Sequence, residues 1–285
     1  MRDHRQKTAT GLFCKNEYGK LAHVLMCPPT YMRIEEVINH TQTHYAKENI
    51  NVQKAAAQFQ SFLRLLKEEG IEVELLSPVA HLPEQVFTRD IGFVIEERAF
   101  LSKMYHPIRQ EETREVEMMW EEQGLSFRRI QAPVEGGDLL VDGETIWLGV
   151  GGRTSREAAK ELQSQLPWHE VVPIEMRAEY LHLDCVFNVI APEMALVYRE
   201  AIPPVLLERL KRRYELVAVT EREQFGLGTN VLSLGDGKVV SQPQNQGVNA
   251  TLLRLGLDVL EVDISEIIKS GGAFRCMTFP LRREG

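Results

Sequence analysis

The chain is short of the features that mark whole classes of protein. Its 285 residues hold four cysteines, Cys14, Cys27, Cys185 and Cys276, with no C-x-x-C pair among them. Spacing therefore gives neither a zinc site nor a disulfide framework and points to a reducing compartment. No apolar run approaches the roughly 20 residues that a membrane span needs. Met1-Arg2-Asp3-His4-Arg5 leads into polar residues instead of the apolar centre of a signal peptide, so a cytoplasmic protein is expected. Positive charge is in the minority: 33 Lys and Arg against 41 Asp and Glu leave a net charge of −8. That balance argues against a nucleic-acid binder and favours neutral or cationic partners. With 44% hydrophobic and 26% charged residues there is also no excess that would mark a disordered or fibrous chain.

What the chain does have is an internal period. Leu21–Cys27 reads as a strand stopped by Pro28-Pro29, Val52–Leu66 as an amphipathic helix stopped at Gly70, and Ile71–Leu75 as an alternating strand. From there the unit hairpin, helix, strand recurs, with predicted hairpins starting at 92, 138, 184 and 230. The second turns at Asp142-Gly143, a strong hairpin signal, and its helix begins with the capping box Thr154-Ser155-Arg156-Glu157. The third helix opens at Pro203-Pro204, and the fourth hairpin turns at Gly235-Asp236-Gly237. A constant step of 46 carries the count from 230 to Cys276. If the strand after Cys276 pairs with Leu21–Cys27, the two chain ends make a fifth hairpin. Five units, none able to bury its own apolar face, would then share one core as a single α/β domain over residues 1–285, closed into a ring.

The start of each unit carries the residues with chemistry. They are Phe87-Thr88-Arg89-Asp90, Glu135-Gly136-Gly137-Asp138, His182-Leu183-Asp184, Gly228-Thr229-Asn230 and Arg275-Cys276. In a rotational repeat, equivalent positions converge at one end of the axis. Taken singly, Cys276 reads as a small buried hydrophobe, His182 as a satisfied core histidine, the glycine pair as a tight turn and Arg89-Asp90 as an ion pair. Together, so many ionisable groups in one place are costly to bury unless they serve a ligand. A thiolate needs a base, which His182 can supply with Glu135 holding its ring. Asp90 and Asp184 would oppose an oxyanion but match the planar N–H fork of a guanidinium, so the set suits attack on a guanidine carbon.

These motifs, in this order and spacing, resemble the guanidino-group-modifying enzymes: arginine deiminase, dimethylarginine dimethylaminohydrolase and the amidinotransferases. The resemblance runs from about Leu21 to Arg282. It implies the pentein fold, a five-bladed α/β propeller. It also implies Cys276 as nucleophile, His182 as general acid and base, Glu135 orienting His182, and Asp90 and Asp184 clamping guanidinium nitrogens. Gly151-Gly152-Arg153-Thr154 is similar to the deiminase segment that supplies a carboxylate-binding arginine, making Arg153 a candidate for that role and Arg109 a second one. Arg109 is equally readable as a solvated arginine at a helix start.

The chain lacks the inserted helical domain of arginine deiminases, has Glu84 where they carry an asparagine, and resembles dimethylarginine dimethylaminohydrolase in its compact size. Asp184 is more similar to the deiminases and amidinotransferases. The expected activity is hydrolysis of a small guanidino compound through a covalent amidino-thioether to a ureido product, with transfer to an acceptor amine as the alternative. No cofactor, metal, nucleic acid or membrane is expected, and a homodimer is left open. A non-catalytic binding protein of the same fold, a cysteine protease and a metal site at Glu135, His182 and Asp184 are the competing readings. One histidine with carboxylates is a poor zinc set.

Overall fold

In the computed structural model, which describes residues 11–284, each hairpin forms where a short turn tolerates positive φ. The chain opens with β1 (Lys20–Met26), a short helix α1 (His40–Tyr45), the long helix α2 (Val52–Glu68) and β2 (Glu72–Leu75). The next unit is β3 (Gly92–Ile95), β4 (Arg98–Leu101), α3 (Glu112–Glu122) and β5 (Phe127–Arg129). It is followed by β6 (Leu139–Asp142), β7 (Thr145–Val150), α4 (Arg156–Gln165) and β8 (Glu170–Glu175), and then by β9 (Phe187–Ala191), β10 (Met194–Val197), α5 (Pro204–Lys211) and β11 (Glu215–Ala218). After a short helix α6 (Glu221–Phe225) come β12 (Leu232–Gly235), β13 (Lys238–Ser241), α7 (Gln246–Arg254), β14 (Asp258–Glu261) and finally β15 (Phe279–Glu284).

The strands form five separate three-stranded sheets of one design. Within a unit the hairpin is antiparallel, and the strand after the helix returns parallel to the hairpin's second strand. The first sheet is assembled from both chain ends: β1 pairs antiparallel with β15 and parallel with β2. In the β6–β7 hairpin Asp142 pairs with Thr145, so the loop is Gly143-Glu144 with Gly143 at φ +62°. Gly235 pairs with Lys238 around Asp236-Gly237, both at positive φ, as a two-residue turn of the primed kind requires.

The period differs in detail from the constant step of 46. First strands begin at 92, 139, 187, 232 and 279, giving steps of 47, 48, 45 and 47. Two helices, α1 and α6, lie outside the repeat and carry no apolar stripe long enough to reveal them. The capping box expected at Thr154 is displaced. Ser155 caps α4 by accepting from Ala158 N, while the Thr154 hydroxyl turns inward and accepts from Glu135 N at 3.1 Å.

Helix α2 shows how the fold fixes the site. Asn51 caps it, Gly70 ends it at φ +76°, and its face of Ala55, Phe59, Phe62, Leu63 and Leu66 is buried. That face shares a cluster with Leu21, Val24, Phe274, Cys276 and Met277. The Phe62 and Phe274 rings meet edge to face at 5.0 Å. Each buried aromatic contributes on the order of 1.5–3 kcal/mol, so the segment carrying Cys276 is anchored by apolar burial from the opposite end of the chain. Among the described residues no helix is long and apolar enough to cross a membrane.

Candidate active site

Three units enter their first strand through a single 3-10 turn, at Thr88–Ile91, Gly136–Asp138 and Leu183–Cys185. Each turn lifts one acid, Asp90, Asp138 or Asp184, into the interior, and all three are buried. The Cys276 segment is tied to them through backbone. Cys276 O accepts from Arg89 N at 3.0 Å. The Asn230 side-chain oxygen accepts from Arg275 N at 3.1 Å and Cys276 N at 3.2 Å, and its Nδ2 donates to Cys276 Sγ at 3.2 Å. One asparagine therefore fixes the thiol and the backbone that carries it.

His182 is fully buried. Its Nε2 meets Glu135 Oε2 at 2.7 Å and its Nδ1 faces Asp90 Oδ1 at 3.6 Å. Burial pushes the imidazole down, but Asp90, Glu135 and Asp138 outweigh it and carry the group up to about 10. His182 is thus an imidazolium at neutral pH, with Nε2–H held by Glu135 and Nδ1–H available. Burial would raise Glu135, yet His182, Arg153 and Arg109 hold it well below the usual carboxylate range. Asp138 goes the other way: burial lifts it to about 7 against the pull of His182, and its Oδ1 accepts from Leu183 N at 2.9 Å.

The two aspartates share one design. Asp90 Oδ2 accepts from Arg109 Nη1 at 2.7 Å, and Asp184 Oδ2 accepts from Arg275 Nη1 at 2.8 Å. Each carboxylate is held at one oxygen by a guanidinium of the protein itself. The other oxygens are differently placed. Asp90 Oδ1 has no hydrogen-bond partner among the described residues, nor has the facing His182 Nδ1. Among the described residues Asp184 Oδ1 meets only thiols, Cys185 Sγ at 3.5 Å and Cys276 Sγ at 3.9 Å. Buried polar atoms without partners are rare, and a ligand bearing N–H donors would satisfy both aspartates.

The arginines named from sequence are both buried. Arg109 is no solvated helix-start residue: Glu112 takes its Nε and Nη2, Asp90 its Nη1, and the Phe87 carbonyl lies 3.4 Å from its Nη2. Arg153 donates Nη1 to Glu135 at 3.1 Å and Nη2 to the Ile38 carbonyl at 2.8 Å. Glu84 is buried with Gln42 and Ser270, which donate to it at 2.7 and 2.8 Å. Burial lifts it to about 7, Arg109 and the Ser270 hydrogen bond opposing. Asp90, Glu135 and His182 bring potential ligand atoms within 4.8 Å of one another. Arg109 and Arg153 already neutralise those carboxylates, so the cluster is built around guanidinium groups and not around an ion. Glu112 and Gln42 were not singled out from sequence, and Arg275 was named there only beside Cys276, with no role of its own. The spacing of Arg109 and Glu112 at the start of a helix was the available signal for the first.

Five hairpin-and-strand sheets bearing this cysteine, histidine and acid set define the class of guanidino-group-modifying, or pentein, proteins. Residues 28–283 match the family model of N,N dimethylarginine dimethylhydrolase, eukaryotic, and the chain belongs to that family. It is 46% identical over 271 residues to the uncharacterized protein YkgA of Bacillus subtilis, covering 95% of both chains. It is 30% identical over 264 residues to the N(G),N(G)-dimethylarginine dimethylaminohydrolase of Mycobacterium tuberculosis, covering 90% of this chain and 84% of that one. Among solved structures it is similar to the product-bound N-terminal domain of ArgZ, a cyanobacterial arginine dihydrolase, with TM-score 0.84 and 26% identity over 93% of this chain and 98% of that one. Family and relatives together make the chain a guanidino-modifying enzyme.

Proposed function

We propose that the protein hydrolyses the guanidino group of a small arginine-like or methylarginine-like molecule through a covalent intermediate on Cys276. The observation that carries this reading is the pair of buried aspartates, each anchored on an internal arginine and each presenting one oxygen beside the thiol or the histidine. Such a pair matches the N–H fork of a guanidinium and would repel the oxyanion of an acyl substrate. Both relatives with a named activity, the mycobacterial and cyanobacterial enzymes, act on compounds of this kind. We also read the five sheets as blades of one closed ring, because β1 joins the two chain ends in a sheet of the same design as the others.

The steps follow from the geometry. Asp90 and Asp184 hold the guanidinium, and the Cys276 thiolate attacks its central carbon. The carbon–nitrogen bond breaks as His182 Nδ1–H protonates the departing amine or ammonia, leaving an amidino-thioether. Water gives a proton to His182 and attacks the same carbon, the carbon–sulfur bond breaks, and a ureido product leaves with the thiolate restored. Glu135 keeps Nε2 occupied so that only Nδ1 exchanges protons. Arg109, held on three sides, acts by fixing Asp90. Arg153 is the candidate for the substrate's carboxylate, because its Nη2 bond to the Ile38 carbonyl is one that a carboxylate can replace.

The test is a panel of arginine, methylated arginines, agmatine and guanidinoacetate, without acceptor amines, read for ammonia, amine and ureido product. At least one compound should give a ureido product. Cys276→Ala should lower kcat by about 10⁴-fold or more, as loss of a nucleophile does elsewhere. Product formed only after an acceptor amine is added would make the protein an amidinotransferase. Turnover retained in Cys276→Ala would remove the thiol from the mechanism.

A further inference from the structure

Asp184 is followed by a second cysteine that guanidine chemistry does not use. Cys185 is buried in the Leu183–Cys185 turn, where its thiol donates to Asp184 Oδ1 at 3.5 Å. Cys276 Sγ approaches the same carboxylate at 3.9 and 3.7 Å. The Asn230 carboxamide fastens the two backbones to each other. It accepts from Cys276 N at 3.2 Å and donates at 3.5 Å to the Asp184 carbonyl, the peptide unit leading into Cys185. The other two thiols are engaged elsewhere: Cys14 faces the Pro280 carbonyl and Cys27 the Pro28 carbonyl. Cys185 also lines, with Leu181, Tyr180 and Gly271, a cavity of about 630 Å³.

We propose that Cys185 is a resolving cysteine: after a hydroperoxide oxidises Cys276, the two close a reversible disulfide that switches the enzyme off and spares the nucleophile. In the first step the Cys276 thiolate attacks one peroxide oxygen. The O–O bond breaks, the protein gains a sulfenic acid, and the other oxygen leaves as an alcohol, or as water when the oxidant is hydrogen peroxide. In the second step Cys185 loses its proton and attacks the Cys276 sulfur, the S–O bond breaks and water departs. Two thiols and one hydroperoxide thus give one disulfide, one alcohol and one water. At rest the neighbouring Cys276 sulfur, burial and the Asp184 charge keep Cys185 protonated and out of the guanidine reaction.

The proposal requires only that Cys276 be oxidisable, so it is read by covalent mass and stands or falls apart from guanidine turnover. The intact protein is treated with hydrogen peroxide, alkylated, digested without reductant and mapped. The expected result is a linked peptide joining Cys185 to Cys276, which dithiothreitol returns to two thiols. In Cys185→Ser the same dose should convert Cys276 to sulfinic or sulfonic acid, with recovery of the Cys276 thiol by dithiothreitol about tenfold below wild type. No linked peptide in the wild type, or recovery in Cys185→Ser equal to wild type, would overturn the proposal. Should Cys185→Ser fail to fold, the wild-type peptide map decides alone.

Discussion

His182 is a cation because of where it sits. In the unfolded chain it titrates near 6.5, while in the fold Asp90, Glu135 and Asp138 overcome burial and raise it to about 10. A folded value above the unfolded one means that the stabilisation is fully present below 6.5 and is lost as pH rises through about 10. Urea midpoints measured across that window should fall in the wild type, and the fall should be smaller in His182→Gln. In the proposed mechanism the same proton is spent on the leaving group, so kcat should decline on the alkaline side at about the same pH. An alkaline limb shared by His182→Gln would assign the titration to another group. Cys276, His182, Glu135, Asp90 and Asp184 were legible in the sequence because they share a phase of the repeat. The role of Arg275 was not marked, because an ion pair across 91 positions, as between Asp184 and Arg275, leaves no trace in a local period.

At the scale of elements, the turn Gly136–Asp138 shows why a glycine precedes the acid. A Cβ on Gly137 would lie 2.7 Å from both Asp90 Oδ1 and His182 Nδ1, the two atoms the proposed mechanism needs free. Gly137→Ala should therefore push these groups apart and lower kcat by about 100-fold, the scale of a misplacement near 1 Å. Gly152→Ala, with nothing within 4 Å of its Cβ, is the control and should leave kcat close to wild type. Matching circular-dichroism spectra would separate a local effect from unfolding, and an unaffected kcat in Gly137→Ala would mean that the turn yields without moving His182. The second and fourth hairpins were legible from their turn residues Asp142-Gly143 and Gly235-Asp236-Gly237, and the strand after each helix from its apolar run; that it returns parallel to the hairpin's second strand is shown by the structure. The capping box misled because Thr154 and Ser155 are both competent caps. Only the buried Glu135 amide, which needs an acceptor, decides that Thr154 turns inward.

For the molecule as a whole, the least legible stretch proves central. Residues 11–19 show no period in the sequence, since they form only isolated bridges, Phe13 to Arg282, Cys14 to Glu96 and Asn16 to Asp142, reaching three different sheets. Between those bridges Glu17 is buried, accepting from Arg89 Nη2 and Val141 N at 3.0 Å through Oε1 and lying 3.1 Å from Arg275 Nη2 through Oε2. Burial would raise it, but Arg275, Arg89 and Arg283 hold it down to about 2. Its folded value is depressed, so its stabilisation is present above 4.5 and lost as pH falls through about 2. One carboxylate here answers several guanidinium groups, including the one that orients Asp184. Glu17→Gln keeps the shape but leaves those charges short of a partner, which for a buried pair costs about 3–5 kcal/mol. Urea unfolding at neutral pH should show that loss, and the acid limb should flatten. Because Arg275 is shared between Glu17 and Asp184, the KM for the guanidino substrate should shift as well. A loss below about 0.5 kcal/mol, typical of exposed substitutions, would mean that Asp184 alone balances the arginines and that Glu17 merely fills space among the sheets.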